Sequence, residues 1–243
     1  MREHGNSYNI FILVLTLLSL AILFLQRDLG ASLLYFGIFV VMLWVATGRA
    51  AYLVIGLILF VAGAYIGWLL FDHVQLRVDI WLHALDPAKV FDQGFGQLAQ
   101  AQFGMASGGL VGTGLGQGSP GLIPFASTDF IFAAIGEELG LLGSTAILLL
   151  YLVLVGKGLR VGLRAPDGFS TLLAVGLSTL VALQAFVIVG GVTRIIPLTG
   201  VTLPFVSYGG SSLVSNFVLL GLLVRVSSGP LAPRDRTSRG GAA

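Results

Sequence analysis

The chain has 243 residues, 56% of them hydrophobic and only 10% charged, against about 25% charged in soluble domains. With a mean hydropathy of +0.96, this excludes an ordinary soluble class and points to the membrane. A scattered net charge of +2 excludes a nucleic-acid partner, the lack of cysteine excludes disulfides and thiolate metal sites, and His4, His73 and His83 lack zinc-site spacing.

A bilayer core takes about 20 apolar residues per helix, which divides the chain into about six spans. They lie near 8–25, 31–47, 51–71, 130–155, 169–190 and 205–226. The expected fold class is therefore all-α, a polytopic transmembrane helix bundle. The first stretch resembles a signal peptide, but its apolar run is long and Arg27 and Asp28 sit where a cleavage region is bland. Residues 1–71 are read as the first three spans, 72–128 as a long loop, 129–227 as the last three spans and 228–243 as a disordered tail rich in Arg, Gly and Pro.

Orientation follows from Lys and Arg. With the amino end in the cytoplasm, Arg2, Arg49, Lys157, Arg160, Arg164, Arg225, Arg234, Arg236 and Arg239 fall inside, while Arg27, Arg77, Lys89 and Arg194 fall outside. Both termini are then cytoplasmic and the 72–128 loop is extracytoplasmic. Its length and its apolar residues (Val74, Leu76, Trp81, Phe91, Phe103) predict an ordered, partly helical cap lying against the bundle at the interface. Its glycine-rich second half includes Gly112-Thr113-Gly114-Leu115-Gly116-Gln117-Gly118. As a nucleotide-loop signal this run is weak, since no strand precedes it and no Lys-Ser/Thr follows it. Glycine there permits tight turns and close backbone approach.

Three places break membrane rules. The first is Ser127-Thr128-Asp129-Phe130-Ile131-Phe132, followed by Gly136-Glu137-Glu138-Leu139-Gly140. Asp129 opens a helix at the outer face and reads either as its N-cap or as a working carboxylate. In a continuous helix Glu137 would lie about 12 Å along the axis from Asp129 and about 80° round from it. Carboxylates that far into an apolar helix call for a polar partner or a wet cavity, and a helix–helix tie is the plainer reading. The second is 190–212, where Pro197, Pro204, Ser207, Tyr208, Gly209 and Gly210 occur where a helix should begin. This predicts cavity-lining irregular backbone, a packing hinge, or both. The third is Gln26-Arg27-Asp28-Leu29-Gly30, where a local Arg–Asp pair at the interface is the simple reading.

Together these stretches resemble the shape, elongation, division and sporulation family, the FtsW/RodA/SpoVE proteins of bacterial wall synthesis. The family's Gln-Pro-Asp-Leu-Gly motif appears as Gln26 to Gly30, with Arg27 in place of Pro. Its His-Thr-Asp-Phe-Ile-Phe-Ala motif appears as Ser127 to Ala133, with Ser127 in place of His, and its Glu-Glu-Leu-Gly as Glu137 to Gly140. Its Pro-Leu-Pro-Phe-Val-Ser-Tyr-Gly-Gly-Ser-Ser signature appears as Thr202 to Ser212. The Val-Gly-Gly-Val-Thr-Arg stretch ending at Arg194 resembles FtsW-like members. The family has ten membrane helices, so the chain reads as its carboxyl-terminal part, a truncated member lacking the amino-terminal Gln-Pro-Ser-Glu stretch and its following Lys.

The resemblance implies a peptidoglycan glycosyltransferase of the bacterial plasma membrane that polymerises lipid II in division or wall elongation. It implies Asp129 as the catalytic base, Arg194, Arg77, Lys89, Thr128, Ser207 and Tyr208 as substrate-binding candidates, and Glu137, Glu138, Asp28, Pro197, Pro204, Gly209 and Gly210 as cavity or structural residues. A leaving pyrophosphate calls for cationic stabilisation, from the arginines or from a divalent cation, Mg or Mn. A class B penicillin-binding transpeptidase is the implied protein partner, beside membrane lipid. Two alternatives stand: a lipid II flippase, since broken helices with buried charges also suit transport, and a non-catalytic fragment that docks the transpeptidase.

Overall fold

A computed structural model of the chain describes residues 29–92 and 94–229. The expected 8–25 span, Asp28 and the tail beyond Gly229 lie outside the described residues. Seven α-helices are described: α1 Leu29–Thr47, α2 Ala51–Leu70, α3 Asp72–His83, α4 Phe95–Gly108, α5 Ile131–Arg164, α6 Gly168–Val192 and α7 Gly210–Ser227, with a 3-10 turn at Pro120–Leu122. Among them α1, α2, α5, α6 and α7 are long and apolar enough to cross a membrane. The fold among the described residues is all-α.

The helix α6 is the hub. Asp167 caps it, accepting from the Ser170 amide at 2.9 Å. That backbone bond, joined by the Ser170 hydroxyl, holds the Asp167 carboxyl below its ordinary range. One stripe of α6, Ala174, Ser178, Val181, Ala185, Ile188 and Val192, is buried at the three-and-four spacing of a single helix face. Membrane helices gain little from hydrophobic exclusion and associate through close packing of small residues. A Cβ at Gly158 of α5 would lie 2.1 Å from the Ser178 hydroxyl, and one at Gly162 would lie 2.8 Å from Val175. Likewise Gly37 of α1 receives Leu183, and Gly56 of α2 receives Val40. These glycines set how near the helices come.

The α2–α5 connection is built on two helices. α4 buries Phe95, Leu98, Ala99 and Ala101, and Gln102 ties it to the carbonyl of Val192 at the end of α6. The chain then turns through the glycine-rich run into a break in α5. At Gly140 (φ 66°, ψ −167°) α5 leaves helical geometry. In an unbroken helix the amides of Leu141 and Leu142 would donate to the carbonyls of Glu137 and Glu138. Here Leu141 donates to Gly109 at 2.9 Å and Leu142 to Leu110 at 3.1 Å, while the Glu137 and Glu138 carbonyls accept from the amides of Thr113 and Gly114, both at 3.0 Å. Every backbone group freed by these two lost bonds is re-paired by the loop. Only glycine fits at the crossing, since a Cβ at Gly112 would lie 2.2 Å from the Glu138 carbonyl oxygen and one at Gly140 would lie 2.4 Å from the Gly112 nitrogen.

Three expectations are corrected here. The helix does not run continuously from Asp129 to Glu137 and beyond: it starts at Ile131 and breaks at Gly140. The last span starts at Gly210 rather than near 205, because the chain first turns at 203–207, held by Ser207. Glu137 is not a helix–helix tie. Its buried carboxylate accepts from the Ser119 amide of the loop at 2.7 Å.

Candidate active site

Asp129 stands in a tight turn. The amides of Thr128 and Phe130 both donate to the Phe125 carbonyl, at 3.0 and 3.2 Å, and Phe125 has the unusual φ of 57°. Phe130, 1% exposed, plugs the core and is the N-cap of α5, with no side-chain capping bond. The N-cap reading of Asp129 is thereby corrected: the capping position is one residue later, and the Asp129 carboxylate is not used to hold helix amides. It is half-buried, with Oδ2 beside Gly200, whose absent Cβ would lie 3.7 Å away and whose φ of 76° also favours glycine.

The second wall is the 193–209 loop. Ser207, 2% exposed, accepts from the Leu203 amide at 2.8 Å and donates to the Thr128 carbonyl at 2.7 Å. The Tyr208 amide donates to the Ser127 carbonyl at 2.8 Å, while the side chain stays exposed. Ser207 thus stitches the two motifs together rather than facing outward. Pro204 is buried, and its carbonyl takes the hydroxyl of Tyr151 from α5. The Pro197 segment folds back on the end of α6, where Ile195 and Ile196 amides donate to the Gly190 carbonyl. Gly209 and Gly210 do not serve close helix packing: a Cβ at Gly209 would make only ordinary contact and at Gly210 would meet open space. Gly209 is instead the N-cap of α7, whose carbonyl accepts from Leu213.

The helix α3 closes the third side. Arg194, held at a φ of 61°, donates through Nε and Nη2 to the carbonyl of Trp81 and through Nη2 to that of Leu82, a cation on the last turn of α3. Trp81 returns a bond from Nε1 to the Arg194 carbonyl at 2.9 Å. Arg77 donates to the Leu198 carbonyl at 2.8 Å. Burial pushes the Asp129 carboxyl above its ordinary value of 3.8, opposed by the Thr128 hydroxyl and by the positive field of Arg77. Lys89 is drawn elsewhere: it pairs with Asp79 at 2.9 Å and sits over the Phe95 ring. That pairing, first, and the bond from His83, with burial opposing both, hold the Asp79 carboxyl below its ordinary range. Glu138 lies apart from Asp129, on the wall of an apolar groove of about 490 Å³ that runs past Ile135, Ile131 and Ser127.

Asp129, Thr128, Arg77 and Ser207 are therefore brought together, Arg194 braces the frame, and Lys89 and Glu137 are engaged in other contacts. Sequence reasoning missed Gly200 and Trp81. Gly200 left a signal in its place between Thr199 and Val201 in an already anomalous stretch; Trp81 left none, because its partner is distant in the chain. Among the described residues the non-glycine positions with positive φ are Phe125, Arg194 and Phe205. All flank this site, as expected where strain holds a functional geometry.

A bundle of membrane-length helices with a half-buried carboxylate, uncommitted to capping, at one end defines a polytopic membrane protein with a site at the bundle's mouth. The chain belongs to the FtsW/RodA/SpoVE family, described as cell cycle proteins, whose family model matches residues 1–229. It is 50% identical over 222 residues to the peptidoglycan glycosyltransferase RodA of Mycobacterium tuberculosis, covering 90% of this chain and 47% of that protein. It is 40% identical over 219 residues to the probable peptidoglycan glycosyltransferase FtsW of Geobacter metallireducens, covering 89% and 57%. Relatives of both names thus stand beside the FtsW-like expectation. Among solved structures, a chain of a peptidoglycan synthase complex coordinating polymerization and crosslinking matches with a TM-score of 0.70 at 32% identity, over 88% of this chain and 60% of that one. The rod shape determining protein RodA of Thermus thermophilus, in a mutant form, matches with a TM-score of 0.54 at 25% identity, over 94% and 58%. The chain spans about half the length of the curated relatives it matches.

Proposed function

We propose that the chain carries the catalytic half of a peptidoglycan glycosyltransferase that polymerises lipid II, with Asp129 as general base. The observation that carries this reading is a carboxylate held at the bundle's mouth by two interlocked motifs and free of capping duty. A sugar hydroxyl is a poor nucleophile at neutral pH and needs a base within hydrogen-bond reach. Asp129 accepts the proton of the acceptor's 4-hydroxyl, that oxygen forms a bond to the donor's anomeric carbon with inversion, and the bond to undecaprenyl pyrophosphate breaks. The proton then passes from Asp129 to water.

Arg77 is the best candidate to offset the charge of the departing pyrophosphate, since its field already reaches Asp129. Arg194 acts as a brace, and Lys89 is assigned no contact with substrate. No three His, Asp or Glu converge among the described residues, and no residue is assigned to a divalent cation. No step is derived through a metal. In this reading the Asp129 mouth opens outside the cytoplasm, where the hydrated sugar is, while the lipid stays in the bilayer. A class B penicillin-binding transpeptidase is the proposed partner, supported by the likeness to the synthase complex.

The test is glycan synthesis from lipid II by the purified chain in detergent, where no second compartment exists and transport cannot mimic product. The wild-type chain is expected to yield polymer, and Asp129→Asn to yield none while eluting as the same folded species. Polymer from Asp129→Asn removes the base assignment, and no polymer from the wild-type chain in detergent, with lipid II moved across the bilayer once the same chain is reconstituted into vesicles, favours a flippase.

A further inference from the structure

The loop that patches α5 has its own relation to the bilayer. Between Glu138 and Lys157, charged residues on either side of the apolar run, α5 rises about 28 Å at about 1.5 Å per residue, close to the roughly 30 Å hydrocarbon core. The loop residues bonded to Leu141 and Leu142 therefore sit inside one edge of that core. Irregular backbone survives there only when its polar groups are satisfied within the protein, and the exchanged bonds between 109–114 and 137–142 supply those partners. From residue 93 to residue 128 the sequence carries no charge. Leu110 and Val111, 67% and 76% exposed, are left largely uncovered by the described residues, and they are joined by backbone bonds to the segment of Leu141 and Leu142, which are exposed as well.

We propose that the glycine-rich loop is a re-entrant membrane element, clasped into the α5 break by backbone bonds, with Leu110 and Val111 seated in the acyl-chain layer. Its occupant is the bilayer itself, continuous with the lipid-facing surface of α5. The inference does not depend on the chemistry at Asp129. It gives the break a purpose: the loop fixes the depth at which the segment leading to Asp129 leaves the membrane.

Because the chain has no cysteine, single Cys variants can carry a fluorophore without background. Val111→Cys, Leu142→Cys and Gln117→Cys are labelled with bimane and reconstituted into phosphatidylcholine and phosphatidylglycerol vesicles. The expected result is loss of emission from Val111→Cys and Leu142→Cys when the upper acyl carbons are brominated, with little loss to aqueous iodide, and the reverse for Gln117→Cys. Iodide quenching of Val111→Cys as strong as that of Gln117→Cys overturns the proposal. So does shielding from both quenchers, which would mean that protein covers the loop. Leu110→Cys repeats the reading one residue away, so a label that disturbs the loop at Val111 leaves a second position to decide.

Discussion

A carboxylate just ahead of a membrane helix ordinarily caps it. Asp129 misses that duty by one residue, because Phe130 takes the capping position with its ring in the core. The carboxylate is instead half-buried between Gly200 and the field of Arg77. From the sequence the two roles of Asp129 were indistinguishable, since both need an acid at the same place; only the exact helix start separates them. Ser207 shows the opposite difficulty: a polar residue in a signature reads as a substrate contact, yet both of its bonds run inward. The electrostatics make a prediction of definite sign. The base works ionised, burial raises its pKa and Arg77 lowers it. In Arg77→Gln the carboxyl should rise further, so the acidic limb of the pH–rate profile should move to higher pH while the plateau above it keeps its shape. Profiles of the two proteins with lipid II check this, and an acidic limb that stays put or moves down counts against the placement of Arg77.

At the scale of elements, the spans were legible because apolar runs of bilayer length admit few other structures. The start of α7 was not, since Phe205 and Val206 extend the apolar run and the turn that stops it is fixed in part by Ser207 bonding to Thr128, far back in the chain. The two glutamates and the glycine run were each visible as anomalies. That one resolves the other was not visible, because the contact joins segments more than twenty residues apart and local pattern carries no signal of it. The clasp predicts a sharp contrast among glycines. Gly140→Ala must place a side chain at φ 66°, ψ −167° and against the Gly112 amide, and should lower stability by at least about 2 kcal/mol. Gly63→Ala, in mid-helix with nothing within 4 Å, should be neutral or stabilising by about 0.5–1 kcal/mol. Thermal unfolding in detergent, followed by size-exclusion recovery, reads both. Equal tolerance of the two changes would mean that the break is not held as described.

For the whole molecule, packing is uneven. α6 is sheathed by α1 and α5, whereas α2 buries only Gly56 and touches α1 and α3, so most of its apolar surface is offered to its surroundings. The chain corresponds to about half of its relatives' length. What the proposal requires of the molecule as a whole is sidedness: Asp129 must meet hydrated sugar at the outer face. The Lys and Arg distribution argues for this. The most direct measurement is labelling of Tyr208→Cys, exposed and bonded through its amide to Ser127, two residues before Asp129, with a membrane-impermeant maleimide, using Arg164→Cys at the far end of α5 as the opposite marker. Tyr208→Cys is predicted to react on intact protoplasts and Arg164→Cys only after permeabilisation; the reverse pattern would put the carboxylate on the cytoplasmic side and contradict the account.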